Sequence, residues 1–241
     1  MELEELRRIS AREELSLNFT AKDEMISKIL LDLQKFNDIV IKGGTAINRV
    51  YLKNKRFSEG IDFDVIFKGT AKEALIRTKE IVAALRGFTV EKPRIMNETI
   101  RYDLFYMNPL NHQDKIRLEF RIIKKANNYS RKIVNFGFVP FESALLNVYN
   151  AEELIRNKID CILNRIEGKD FFDLYYLMDL PDVHSSLLME KKNEIIKRIS
   201  MEEAQIKTVA NVINHYIPKD RRPQWSLFLE DLKEKIKKYK A

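Results

Sequence analysis

Three observations predict an α+β fold. The segment IDFDVIF alternates strictly, a second segment, KIRLEFRII, alternates in the same way, and the chain after about residue 150 carries mainly helical periodicity. In the first, Ile61, Phe63, Val65 and Phe67 share one face, and Asp62 and Asp64 share the other. In the second, Ile116, Leu118, Phe120 and Ile122 oppose Arg117, Glu119 and Arg121. The expected organisation is a mixed sheet flanked by helices over residues 1–140. A mainly helical C-terminal domain follows over 141–241.

The elements follow in order. Leu3, Leu6 and Ile9, then Met25, Ile29 and Leu33, fall at helical spacing. Ile39, Val40 and Ile41 form a short apolar run that stops at Gly43 and Gly44, which reads as a buried strand ending in a tight turn. TAINRVYL predicts a helix of about two turns, and NKRFSEG a polar loop. After IDFDVIF, a helix is expected from about Ala71 to Leu85. FTVEKP, ETIRYDLFYM and KIRLEFRII read as strands, the last two joined through a hairpin connection at 108–114. NNYSRKIVNFGFVPF reads as an irregular excursion with one strand, and LLNVYN as a final strand. Asn150 with Glu153 predicts a helix N-cap, Gly168 is expected to end that helix, and Pro181 to end the next.

Composition bounds the function. With 241 residues and 45% hydrophobic content, the chain can bury a sizeable core. A net charge of +7 suits a partner that carries phosphates, and equally suits a solvated surface. The single cysteine, Cys161, excludes an internal disulfide and fits a reducing compartment. No segment reaches transmembrane length, and the charged start MELEELRRISAREE is unlike a signal peptide. The expectation is a cytoplasmic protein with no membrane partner. His112, His184 and His215 are scattered without metal-ligand spacing.

Candidate chemistry begins with Asp62 and Asp64. Two carboxylates on one strand face lie about 7 Å apart and repel unless a cation joins them. Mg2+, or Mn2+ in its place, is the natural cation, since it takes one or two carboxylates together with phosphates. An exposed acidic strand face is the other reading. Glu119 occupies the polar face of the second alternating strand and joins the pair if the two strands lie antiparallel in one sheet. Three such carboxylates would serve two-metal phosphoryl transfer. The alternative for Glu119 is an ion pair with Arg117 or Arg121. Gly43 and Gly44, between a strand and a helix, let a phosphate approach the backbone. Thr45 offers a hydroxyl there, and Lys42 a cation.

IKGGTAINRVYLKNKRFSEGIDFDV resembles the signature of the AbiEii/AbiGii-type toxin family of nucleotidyltransferases, which includes MenT-like toxins and belongs to the DNA polymerase β-like superfamily. The resemblance resumes at Lys158 and KDFFDLYYL, so it runs from about Ile39 to Leu177. It implies a polymerase-β-like nucleotidyltransferase core and a metal-dependent toxin of a toxin–antitoxin or phage-defence system. Such a toxin transfers nucleotides from a nucleoside triphosphate to an RNA acceptor such as the tRNA 3′ end. A cognate antitoxin protein is the implied partner. Gly43, Gly44 and Thr45 resemble the phosphate turn, Ser58 the loop serine beside the site, and Asp62 the second metal aspartate. Lys158 and Asp170 resemble the lysine and aspartate that hold the triphosphate and complete the site, although Asp170 also suits a helix N-cap. Arg56 is either a phosphate contact or one half of a loop-fixing ion pair. Asp173 and Tyr175 read as structural, and Phe171, Phe172, Tyr176 and Leu177 as core.

One position departs from the pattern. Where the family has Ser-Glu-Asp-Ile-Asp, this chain has Ser-Glu-Gly-Ile-Asp, so the first metal aspartate falls on Gly60. Either Asp62 and Asp64 act as the pair one pleat further on, or the position is lost and the chain is a catalytically weakened nucleotide-binding module.

Overall fold

The computed structural model describes residues 1–135, 137–181 and 183–240. Phe136, within the expected excursion, lies outside the described residues, as do Asp182 and Ala241. The chain divides into two compact units, Met1–Tyr149 and Asn150–Ala241.

The first unit opens with α1 (Leu3–Arg12) and α2 (Leu17–Leu33). Ser16 caps α2 by accepting the Phe19 amide at 3.2 Å. Ile26, Ile29, Leu30 and Leu33 of α2 are fully buried. Then come β1 (Ile39–Lys42), α3 (Gly43–Ala46), β2 (Gly60–Ile66) and α4 (Ala71–Ala83). The remaining strands are β3 (Thr89–Val90), β4 (Arg94–Met96), β5 (Thr99–Met107), β6 (Gln113–Ile123), β7 (Tyr129–Val134) and β8 (Ala144–Tyr149). They form one sheet in the order β3-β5-β6-β2-β1-β8-β7, with β4 on β5.

The central position of β1 explains its sequence. Ile39, Val40 and Ile41 are all fully buried, as expected of a strand covered on both faces. Strand β2 keeps its expected alternation, with Ile61, Phe63 and Val65 in the core. Phe63 stacks on Phe120 of β6 at 6.0 Å between ring centroids, and Tyr102 of β5 meets Phe120 edge-on at 6.0 Å. The Tyr102 and Thr78 hydroxyls share a hydrogen bond of 2.9 Å, which ties α4 to β5. Thr70 and Glu73 close a capping box at the start of α4.

The structure corrects four expectations. Strand β2 runs parallel to β6, not antiparallel, and the register sets Asp62 opposite Glu119. The helix expected over TAINRVYL is α-helical only to Ala46. Ile47–Tyr51 then form a π-helical turn, closed by the Leu52 amide on the Ile47 carbonyl at 2.9 Å. The first unit extends to Tyr149 rather than residue 140, because β8 pairs in parallel with β1 and completes the sheet. Gly168 does not end a helix but begins one.

The second unit comprises α5 (Ala151–Asn164), α6 (Gly168–Leu177), α7 (Ser186–Met201), α8 (Glu203–Ile213) and α9 (Trp225–Lys238). Asn150 caps α5 through the Glu153 amide at 2.9 Å, as the sequence predicts. Gly168 lies against α8, where a Cβ would fall 2.5 Å from the Ala210 Cα. Phe171, Phe172, Leu174 and Leu177 are buried in this unit. His112, His184 and His215 are exposed in their respective units.

Candidate functional site

The glycine turn meets strand β2 at Asp62. Gly43 adopts φ +67°, a left-handed conformation that favours glycine. A Cβ on Gly43 would fall 2.4 Å from Asp62 Oδ2, so the turn backs directly onto that carboxylate. A Cβ on Gly44 would fall 2.6 Å from an Arg56 Nη and 2.9 Å from Ser58 Oγ. Only residues without a side chain permit this closeness.

Asn48 holds the turn to the following loop. Its amide donates to the Gly44 carbonyl at 3.0 Å, and its carbonyl accepts the Arg56 amide at 3.1 Å. Arg56 is buried and donates to the Phe57 carbonyl at 2.8 Å, a hydrogen bond within its own loop. The Thr45 hydroxyl, expected beside a phosphate, donates instead to the Gly60 carbonyl at 2.6 Å. Thr45 therefore couples the turn to the start of β2. A buried ion pair secures the π-helical turn behind it: Arg49 donates to Asp23 at 2.7 Å, and Asp23 also accepts the Val139 amide at 3.0 Å.

The carboxylates divide into two kinds. Asp64 is fully buried, and protein donors surround it. Arg121 donates to both of its oxygens at 2.8 and 2.6 Å, Tyr149 donates to Oδ2 at 2.7 Å, and Lys42 donates to Oδ1. Burial alone would raise the Asp64 pKa. The Arg121 hydrogen bonds, the Lys42 charge and the Tyr149 hydroxyl outweigh it and hold the group below the usual carboxylate range. Asp64 and Lys42, expected at metal and phosphate, thus neutralise each other inside the unit. Asp62 differs. It is half-buried, and no hydrogen bond or ion pair engages it among the described residues. Glu119, its register partner, lies 3.3 Å from Arg117 Nε. Among the described residues, no three His, Cys, Asp or Glu side chains converge as a ligand set.

This donor set fits one divalent ion and not two. Asp62 is free against the glycine cradle, Glu119 stands beside it, and one or two carboxylates with phosphate oxygens suffice for Mg2+. Asp64 has no acceptor left to offer, and Gly60 offers none.

In the second unit, Lys158 donates to Asp170 Oδ1 at 2.7 Å and lies 2.8 Å from Asp173 Oδ2. Arg165 donates to Asp170 Oδ2 at 2.9 Å. Burial would raise the Asp170 pKa, but the Lys158 charge and the Arg165 hydrogen bond lower it. Asp170 is therefore not the N-cap of α6; Glu167 holds that place. Asp173 has the structural role expected of it.

Sequence reasoning missed Asn48 and Tyr149. Asn48 stands four residues after Gly44, a spacing that lets a side-chain amide reach back along a helix. Tyr149 had no local signal, being 85 residues from Asp64.

A profile of the family described as "Nucleotidyl transferase AbiEii toxin, Type IV TA system" matches residues 26–240. The chain belongs to this family. Its fold is also that of solved nucleotidyltransferases. MenT4, a nucleotidyltransferase toxin from Mycobacterium tuberculosis, superposes with a TM-score of 0.66 at 15% identity, covering 100% of this chain and 91% of MenT4. JHP933 from Helicobacter pylori superposes with a TM-score of 0.58 at 17% identity, covering 93% and 95%. No curated protein gives a significant sequence match. The AbiEii chain is thus a nucleotidyltransferase-fold toxin-family member with an α+β first unit and a helical second one. No helix among its described residues is long and apolar enough to cross a membrane.

Proposed function

We propose that this AbiEii-family chain binds a nucleoside triphosphate with one Mg2+ or Mn2+ ion and transfers its nucleotide to an RNA acceptor, such as the tRNA 3′ end. The observation that carries the reading is the unengaged Asp62 carboxylate, packed against the Gly43 turn beside Glu119. Asp62 and Glu119 would hold the ion, which supplies neutralisation of the triphosphate. The Gly43–Gly44 backbone admits the phosphates, and Ser58 lies beside that backbone. The acceptor oxygen forms the new bond to the α-phosphorus while the α–β bridging bond breaks and pyrophosphate leaves. The hydroxyl proton passes to the oxygen of the Asp62 carboxylate that does not hold the ion. The net charge of +7 suits an RNA partner. Family membership supports a cognate antitoxin protein as the partner that restrains the activity in the cytoplasm.

Gly60 favours a second reading, a weakened module that binds nucleotide with little turnover. One experiment separates the two: incubation with Mg2+, α-labelled nucleoside triphosphates and total tRNA, with calorimetry of nucleotide binding alongside. Labelled RNA that disappears in Asp62→Asn supports transfer. Binding without labelling supports the weakened module. No nucleotide binding with Mg2+ present defeats both.

A further inference from the structure

Gly60 leaves a gap in the carboxylate set, and one side chain fills it. In the parallel register, Gly60 stands opposite Arg117. A Cβ on Gly60 would fall 3.5 Å from Arg117 Nε and 3.6 Å from its Nη2, so the guanidinium lies over the glycine where a residue-60 side chain would project. Arg117 Nε faces Glu119 Oε1 at 3.3 Å, and its Nη groups make no hydrogen bond among the described residues.

The neighbouring cations of this sheet face are drawn to aspartates, whereas Arg117 pairs with Glu119. Lys42 and Arg121 are engaged by Asp64. Arg94, Arg101 and Lys115 gather on the buried Asp103. Arg117 is the cation that stands opposite Gly60, next to Glu119, and nearly half of its side chain is open to solvent. A planar guanidinium with two free nitrogens suits bidentate phosphate binding.

Resting on the nucleotide reading above, we propose that the Arg117 guanidinium takes the place of one of the two metal ions of nucleotidyl transfer and binds a phosphate of the nucleotide directly. The charges agree. A two-metal centre uses two dications to offset its carboxylates and the phosphates. Here the first carboxylate is absent and a fixed monocation stands over its position. A second dication would find no ligand and would be repelled by the guanidinium.

The test counts bound Mn2+ by electron paramagnetic resonance, and measures by calorimetry the affinity for a nucleoside triphosphate analogue with a methylene α–β bridge. The wild-type protein is expected to bind one Mn2+ per chain with the analogue. Arg117→Gln is expected to keep one ion and to bind the analogue about tenfold more weakly, equivalent to about 1.4 kcal/mol. Arg117→Lys, which keeps the charge but loses the planar fork, should recover only part of that loss. Gly60→Asp alone should still bind one ion, because the new carboxylate pairs with Arg117. Gly60→Asp with Arg117→Gln should bind two. Two ions on the wild-type protein, unchanged analogue affinity in Arg117→Gln, or one ion on the double variant each overturn the role of Arg117 while leaving nucleotide binding intact. A wild-type protein that binds no analogue overturns the nucleotide reading and this proposal together.

Discussion

The Tyr149 hydroxyl donates to Asp64 Oδ2 at 2.7 Å, from the strand on one side of β1 to the strand on the other. It completes a cage in which a fully buried carboxylate meets Arg121, Lys42 and a phenol. Tyr149→Phe removes one hydrogen bond to a charged acceptor and should cost about 1.5–3 kcal/mol. Chemical denaturation of the two proteins checks this. A midpoint unchanged in Tyr149→Phe would show that water or another donor replaces the hydroxyl.

Asp64 itself is predicted to matter for stability rather than for ion binding. Asp64→Ala leaves Lys42 and Arg121 without their counter-ion, at a cost of about 3 kcal/mol. Asp62→Asn, at a half-buried and unengaged position, should shift stability by less than about 0.5 kcal/mol. Mn2+ binding should respond in the opposite order, lost in Asp62→Asn and retained in any folded Asp64 variant. Equal loss in both would return Asp64 to the ligand set.

Acid sensitivity follows from two carboxylates held below their ordinary value of 3.8, Asp64 in the first unit and Asp170 in the second. A depressed pKa stabilises the folded state fully above the ordinary value and loses that contribution as pH falls through the lower folded value. Denaturation midpoints should therefore vary little on these groups' account from pH 7 to 5 and fall steeply below about pH 4. A midpoint equally high at pH 2 and pH 6 would contradict the cages drawn around both residues.

Gly43→Ala tests the turn. An alanine at φ +67° costs about 1–2 kcal/mol, and its Cβ would displace the Asp62 carboxylate. Nucleotide affinity should drop along with stability. If affinity persists in the folded variant, the turn does not position Asp62.

Lys158 is predicted to be a stabilising residue of the helical unit. Lys158→Met removes the cation shared by the buried Asp170 and Asp173, with Arg165 still on Asp170, and should cost about 3 kcal/mol, read from thermal unfolding. Asp173→Asn should recover part of the loss in the double variant.

Much of the fold was legible in the sequence, and the reasons are local. Strict alternation in β2 and β6 fixed which faces are apolar, because a one-residue slip would bury Asp62 instead of Phe63. The Asn150–Glu153 cap was legible for the same reason. The direction of β2 against β6 was not, since alternation carries no information on whether neighbours run parallel. The π-helical turn was also hidden. It depends on the buried Asp23–Arg49 pair, which joins positions 26 residues apart. In the site, Asp62 and the two glycines were legible as a motif. The distinction between Asp62 and Asp64 was not. Both sit on the polar face of one strand, and only the three-dimensional neighbours Arg121 and Tyr149 separate a free carboxylate from a caged one.

The pairing of β1 with β8 also sets an order of events during synthesis. Asp64 has no phenol to meet until the ribosome has added the 85 residues that separate it from Tyr149. At about 5–20 residues per second, that interval lasts roughly 4–17 s. Until then, β1 lacks a neighbour along one edge and the β2 cage is incomplete. A nascent chain that already carries the whole Lys42–Asp64 segment still lacks the phenol on Asp64 and the β8 neighbour of β1, and both arrive only with the finished sheet.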